Sequence, residues 1–144
     1  MSTRSSRPSN ARETFKPDTG FRRDGMAVPA NVGPPKTIVF RFPGLEQKLR
    51  DQFVYQAYAS VAEVTKQRFI PGNRLVLKFN EEVIGEGQII LVEKVTLATL
   101  TAYDAIVGGY ANVDDLRKDS WKTIVGDVKK PEEVEFFRIL FRWL

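Results

Sequence analysis

The chain has 144 residues and a formal net charge of +4, which is long enough for one domain with a buried core and too short for two. It contains neither cysteine nor histidine, so disulfides, thiolate nucleophiles, cysteine-ligated zinc and histidine general bases are excluded. No apolar run approaches the ~20 residues that cross a bilayer, and the start lacks a secretory signal. These features predict a soluble, cytoplasmic protein without a metal or cofactor.

The surplus positive charge lies in the first quarter of the chain. Seven basic and three acidic residues within 1–36 give +4, whereas residues 37–144 hold fifteen of each sign. Residues 1–36 are also rich in Ser, Arg, Pro and Gly, which predicts an extended basic arm before a folded domain over 37–144. This arm is either a solvated leader or a segment that lies along phosphates or a protein surface. The residues predicted to make those contacts are Arg4, Arg7, Arg12, Phe15, Phe21, Arg22 and Arg23.

Three short patterns follow the arm. Residues 37–42 alternate apolar and polar side chains and predict a first strand. Leu45, Leu49 and Phe53 are four residues apart, with charged residues between them, which predicts an amphipathic helix of two to three turns. Residues 61–68 suit either a strand or a helix.

The middle of the chain predicts a turn and two strands. Pro71 and Gly72 occupy the positions that favour a tight turn over residues 70–73. Residues 74–79 alternate as a half-buried strand does. Residues 83–95 place apolar side chains on both faces, which is typical of a strand in the centre of a sheet.

Two capped helices are predicted next. Thr101 followed by Asp104 has the form of a capping box, and Gly108–Gly109 supplies a helix end. Asn112 and Asp115 repeat the pattern for a second helix.

The C-terminal residues 134–144 are apolar on both faces, which predicts a last strand in a barrel wall or in a subunit contact. Trp121 and Trp143 could stack on unpaired bases, but each follows an apolar period, which favours packing in the core. Residues 120–125 either extend the preceding helix or close the core.

The order of these features resembles the ASCH family of the PUA-like superfamily. The resemblance rests on the strand end VEKVTLATLT, the short helix with Ala105, the Gly109–Tyr110 step and the helix NVDDL, and it covers residues 37–144. It implies an α+β fold, a small mixed β-barrel with two or three short helices, and a role with RNA or modified nucleosides. It also favours a strand after the first helix, within residues 54–68.

The chain departs from the catalytic pattern that the resemblance implies for an amidohydrolase branch. That branch looks to use a Lys-x-x-Thr pair and a glutamate, but here Phe69 stands three residues after Lys66, and Gly108 falls near the glutamate position. Without the lysine–threonine pair and the glutamate, the chain lacks the nucleophile and the general acid that this hydrolysis needs. No catalytic residues are therefore predicted.

The leading functional hypothesis is a non-catalytic module that binds RNA or a ribonucleoprotein. The residues predicted to contact nucleic acid are Lys66, Arg68, Arg74, Lys78 and Tyr103, in one cleft. The ordinary alternative for the four basic residues is an exposed strand face balanced by glutamates. A rival hypothesis is a structural subunit of a virion or ribosome-like assembly, whose arm and last strand contact neighbours. A third is an ASCH-type, metal-free ribonuclease.

Overall fold

Alternating apolar residues build a single five-stranded sheet in the computed structural model, which describes residues 36–144. The strands are β1 (Lys36–Phe40), β2 (Gln56–Ser60), β3 (Arg74–Phe79), β4 (Glu82–Val95) and β5 (Phe136–Trp143). Their order across the sheet is β1-β3-β4-β5-β2. The β1–β3 pair is parallel and the other three pairs are antiparallel, and the sheet curls into a half-barrel.

Four short α-helices and several single turns connect the strands. The helices are α1 (Glu46–Arg50), α2 (Val61–Gln67), α3 (Ala102–Val107) and α4 (Val113–Ser120). A π-helical turn, Trp121–Val125, continues α4, and 3-10 turns cover Pro43–Leu45, Leu97–Thr99 and Pro131–Glu133. The predicted α+β class with a mixed, barrel-like sheet is confirmed, with four α-helices where two or three were expected.

The long strand predicted at the centre of the sheet is confirmed as β4, which pairs with β3 on one side and β5 on the other. The register between β4 and β5 shifts between Ile89 and Leu91, so Ile90 is a bulge residue. The last strand, β5, lies inside the half-barrel wall between β4 and β2, which confirms the first of its two predicted places.

The strand favoured within residues 54–68 is present as β2, but it stops at Ser60, and the stretch from Val61 whose alternation also suited a strand forms α2. The side-chain oxygen of Ser60 accepts a hydrogen bond from the Glu63 N–H, which caps the helix at its start. The helix ends at Arg68, whose φ of 58° is left-handed. The strand that precedes it, β2, ends at the capping residue.

The first predicted helix is shorter than its spacing suggested. Leu45 and Leu49 are buried as expected, but α1 stops at Arg50 and Gln52 takes a φ of 60°. Phe53 therefore leaves the helical face and is 60% exposed.

The two tryptophans have different surroundings. Trp143 packs edge-to-face on Phe141, and its indole N–H donates to the Val54 carbonyl at 2.8 Å, which confirms the predicted core contact. Trp121 is 48% exposed, so its predicted place in the core is wrong. The buried residue of the π-helical turn is Val125 instead.

Both predicted helix caps are confirmed. Thr101 and Asp104 form a reciprocal capping box at the start of α3, and the Asn112 side chain accepts from the Asp115 N–H at the start of α4. Gly109 follows α3 with a φ of 88°, and a Cβ placed there would lie 2.8 Å from a Val54 methyl. Only glycine satisfies both constraints.

Within residues 36–144 no helix is both long and apolar enough to cross a membrane. The predicted arm contacts, from Arg4 to Arg23, lie outside the described residues.

Candidate functional site

The two edge strands, β1 and β2, face each other across the open side of the half-barrel. A cavity of about 300 Å³ lies between them, near the lower end of the roughly 300–1,000 Å³ typical of ligand pockets. Its lining residues come from both edge strands and from the segments around α2, α4 and the π-helical turn. We call this space the seam cavity.

A side-chain amide satisfies part of the β1 edge beside the cavity. The Thr37 N–H donates to Gln67 Oε1 at 2.9 Å, and Gln67 Nε2 donates to the Thr37 carbonyl at 3.1 Å. This pair of hydrogen bonds replaces what a neighbouring strand would supply to a free edge. The β1 edge is thus covered at this residue although the sheet is not closed.

A buried tyrosine and an aspartate form one wall of the seam cavity. Tyr110 is 7% exposed, and its hydroxyl donates to Asp119 Oδ2. Burial, followed by the charge of Asp119, raises the pKa of Tyr110 above its ordinary value. Burial also raises the pKa of Asp119, against the opposing effects of the Tyr110 hydrogen bond and the Lys122 charge. The Tyr110 hydroxyl is therefore already committed to an acceptor inside the protein.

A chain of hydrogen bonds that crosses three elements ends at Tyr58 in the lining of the seam cavity. Arg138 of β5 donates to Asp104 Oδ1 at 2.7 Å, and Gln56 Nε2 of β2 donates to the same oxygen at 3.1 Å. Gln56 Nε2 also donates to the Tyr58 hydroxyl oxygen at 2.8 Å. Asp104 and Gln56 are buried, and Arg138 reaches the surface through an ion pair with Glu93. We call this chain the polar relay.

The aspartate at the centre of the polar relay is held ionised by its partners. Burial alone raises the pKa of Asp104, but the Thr101 N–H, the Gln56 amide, the Arg138 charge and the Thr101 hydroxyl together outweigh it. The pKa of Asp104 therefore lies below its ordinary value. At neutral pH this carboxylate only accepts hydrogen bonds.

Aromatic and basic side chains complete the seam cavity. The aromatic residues of its lining are Phe40, Tyr58, Phe69 and Tyr110, and the exposed Arg41, which follows β1, also lines it. The lining thus combines apolar faces with a few polar groups, as ligand pockets commonly do.

The residues predicted to contact nucleic acid are placed on other parts of the surface. Lys66 and Arg68 are exposed on α2 and at its end, and Arg74 of β3 is exposed in an ion pair with Glu86. Lys78 is half-buried on β3. None of these four lines the seam cavity. Nucleic-acid contact at these positions stays a prediction.

The fifth predicted residue, Tyr103, is 72% exposed on α3. It lines a second depression of about 290 Å³ together with Leu91, Asp104, Arg138 and Leu140. The five predicted residues therefore do not share one of these two cavities.

Sequence reasoning missed the side chains that the seam cavity brings together, namely Gln56, Tyr58, Tyr110 and Asp119. Only Tyr110 had a signal, in the Gly109–Tyr110 step. Among residues 36–144 there is no cluster of three or more acidic side chains placed to hold a metal ion.

Comparisons with solved structures identify the fold. No family model matches the chain, and no curated protein matches its sequence. The crystal structure of protein EF3133 from Enterococcus faecalis V583, of the DUF984 family, is similar with a TM-score of 0.59 and 9% identity over 76% of each chain. An ASCH domain from Lactobacillus crispatus JV V101 is similar with a TM-score of 0.51 and 11% identity over 75% of this chain and 79% of that one. These likenesses confirm the ASCH-like fold predicted from the sequence.

Proposed function

We propose that this ASCH-like domain is a non-catalytic module that binds RNA or a ribonucleoprotein and holds one unpaired base in the seam cavity. The observation that carries the proposal is the lining of that cavity, where aromatic rings stand beside buried hydrogen-bonding groups. Proteins recognise unpaired RNA bases with this combination, because a base is stacked on a ring and read along its polar edge. A volume of about 300 Å³ favours a single base over several stacked nucleotides.

Phosphate contacts would come from outside the cavity. Arg41 lines the cavity and is exposed. Lys122 lies close enough to Asp119, another lining residue, for its charge to lower the pKa of that carboxyl group. In this proposal the basic residues of 1–36 add further phosphate contacts. Affinity that depends on such contacts falls steeply as salt is raised.

The proposal is tested by filling the seam cavity from its exposed side. Thr123 lines the cavity and is exposed on the π-helical turn, so Thr123→Trp can occupy the space without replacing a core residue. Thr65→Trp is the matched comparison, because Thr65 is exposed on α2 and is not part of the lining. Binding of a short fluorescein-labelled single-stranded RNA to the full chain is measured by anisotropy.

We expect Thr123→Trp to weaken binding about tenfold, since stacking of one base is worth ~1–3 kcal/mol, and Thr65→Trp to bind as the unchanged chain does. The recovered RNA should be intact. An unchanged chain that binds no RNA would overturn the proposal. So would a loss of binding confined to Thr65→Trp, which would move the site to the surface around Lys66 and Arg68.

A second candidate is a structural subunit of a large assembly, and one observation favours it. Tyr103 and Ile106, three residues apart on α3, are 72% and 70% exposed, and Tyr103 lines the second depression with Leu91, which is 42% exposed. Grouped exposed apolar residues mark contact surfaces. The mass in size-exclusion chromatography, before and after nuclease treatment, separates the candidates. Self-assembly that ignores nuclease supports the subunit, and a mass that falls on nuclease treatment supports the RNA-binding module.

A further inference from the structure

The polar relay imposes a direction on its hydrogen bonds. The guanidinium of Arg138 can only donate, and the ionised carboxylate of Asp104 can only accept. Arg138 Nη1 and Gln56 Nε2 both approach the same Asp104 oxygen, at 2.7 Å and 3.1 Å. The group that Gln56 presents to Asp104 must therefore be its NH2.

The reversed amide of Gln56 is unfavourable. It would place the carbonyl oxygen of Gln56 against the Asp104 carboxylate, with two acceptors facing each other and no hydrogen between them. Gln56 is 5% exposed, so water cannot relieve that contact. The charge of Asp104 thus fixes which end of the amide faces the helix.

The orientation of Gln56 determines what Tyr58 can do. One hydrogen of Gln56 Nε2 goes to Asp104, and the other reaches the Tyr58 hydroxyl oxygen at 2.8 Å. Tyr58 therefore accepts from Gln56 and must donate its own hydrogen elsewhere. Within residues 36–144 the Tyr58 hydroxyl makes no hydrogen bond as a donor, and Tyr58 lines the seam cavity.

Two features keep the Tyr58 hydroxyl protonated and in place. Burial raises the pKa of Tyr58 above its ordinary value, against the opposing effect of the Gln56 hydrogen bond. The ring is packed edge-on against Phe136 of β5, with ring centres 6.1 Å apart. Tyr110, the other tyrosine of the cavity, cannot act in the same way because its hydrogen already goes to Asp119.

We propose that Tyr58 is the fixed hydrogen-bond donor of the seam cavity, and that Asp104, acting through Gln56, is the positioning residue that keeps it a donor. The bound group must then offer an acceptor to Tyr58, such as the carbonyl oxygen or the unprotonated ring nitrogen of a base. This inference rests on the proposed RNA-binding function and states which partner in the seam cavity donates the hydrogen bond and which accepts it. A base edge whose acceptor is blocked is rejected, because the donor would be buried without a partner.

The experiment is a double-mutant cycle on RNA affinity in the full chain. The variants are Tyr58→Phe, Asp104→Asn and the two combined, and Tyr55→Phe is the matched control. Tyr55 is an exposed tyrosine of the same segment that does not line the cavity. Affinity for fluorescein-labelled oligouridylate, oligocytidylate and oligoadenylate is measured by anisotropy, and thermal melting checks that each variant is folded.

We expect Tyr58→Phe to weaken the preferred oligonucleotide about fivefold, which is the worth of one neutral hydrogen bond. Asp104→Asn should cause a similar loss, because a neutral partner lets the Gln56 amide turn and the Tyr58 hydrogen point away. The combined variant should bind no more weakly than either single variant, because both changes remove the same interaction. Tyr55→Phe should bind as the unchanged chain does.

The outcomes separate this inference from the function on which it rests. If the unchanged chain binds none of the three oligonucleotides, the RNA-binding proposal itself is wrong. If it binds and Tyr58→Phe binds equally well, the donor assignment is wrong while the function stands. If the losses from Tyr58→Phe and Asp104→Asn add up in the combined variant, Asp104 does not position Tyr58.

Discussion

The two halves of the sheet bury different chemistry. Around β3 and β4 the interior is apolar, with Leu75, Leu77 and Ile89 almost completely buried. Around β2 and β5 a buried amide and a buried carboxylate, Gln56 and Asp104, lie beside the core. In the first half the buried residues follow the alternation within each strand, whereas the second half joins side chains from different elements, such as Gln56 and Asp104, which are 48 positions apart. We infer that one half mainly stabilises the fold, and that the other sets the geometry of the ligand site in the proposed function.

The largest expected effect is on stability in the apolar half. Leu77 of β3 is 0% exposed, so Leu77→Ala leaves a cavity and should lower the free energy of unfolding by about 2–5 kcal/mol. Urea unfolding monitored by tryptophan fluorescence measures this loss. A loss below about 1 kcal/mol would indicate that this half relaxes around cavities and does not hold the fold as described.

The second largest expected effect is a loss of stability in the polar half of the sheet, around β2 and β5. Asp104→Ala removes the acceptor of Arg138, Gln56 and the Thr101 N–H at once, and should cost about 3 kcal/mol, since it leaves several donors without their acceptor. The exposed Asp114 provides the control, and Asp114→Ala should stay within about 0.5 kcal/mol. Equal small losses for the two variants would show that the polar relay is not a stabilising network.

Asp104 of the polar relay and Asp119 of the seam cavity should also differ in the pH dependence of stability. Asp104 has a lowered pKa, so its contribution is present above its unfolded pKa and is lost as the pH falls through the folded value. Asp119 has a raised pKa, so the folded state keeps its proton longer and stability is lost as the pH rises from the unfolded towards the folded value.

These signs are checked by urea unfolding between about pH 3 and pH 7. Asp104→Asn should lose more stability, relative to the unchanged chain, at the upper end of this range than at the lower end. Asp119→Asn should gain relative stability towards the upper end. Parallel pH profiles for the two variants would contradict the opposite surroundings assigned to the two carboxyl groups.

The smallest expected effect compares two helix caps. Thr101→Ala and Asn112→Ala each remove a side chain that accepts from a backbone N–H, which is worth about 1 kcal/mol. Thr101 also donates to Asp104 at 3.1 Å, so its replacement should cost more than that of Asn112. Thermal unfolding of the two variants measures the difference. A larger loss for Asn112→Ala would separate the α3 cap from the polar relay.

Local patterns allowed much of the fold to be predicted. The central strand and the caps at Thr101 and Asn112 depend on neighbouring residues, and all three are present. The apolar spacing of residues 61–68 fits the periodicity of a strand and that of a helix equally well. The hydrogen bond from the Glu63 N–H to the Ser60 side chain stabilises the start of a helix there. Phe53 was misplaced because Gln52 adopts a left-handed conformation that spacing alone does not reveal.

The candidate site could not be predicted in the same way. Gln56, Asp104 and Arg138 come from a strand, a helix and the last strand, and only the folded sheet places them in contact. A single glutamine or arginine in an apolar strand has no local pattern that distinguishes it from a solvated side chain. The basic residues predicted to contact nucleic acid, such as the exposed Arg74, lie apart from the seam cavity.

The central claim is that the seam cavity between β1 and β2 receives the RNA base. A titration of the uniformly 15N-labelled full chain with a short single-stranded RNA, followed by amide chemical shifts, tests it most directly. We predict that the largest shifts fall on the cavity lining, at Val39, Tyr58, Tyr110 and Thr123. Shifts confined to the surface around Lys66, Arg68 and Arg74, or no shifts at all, would contradict the account.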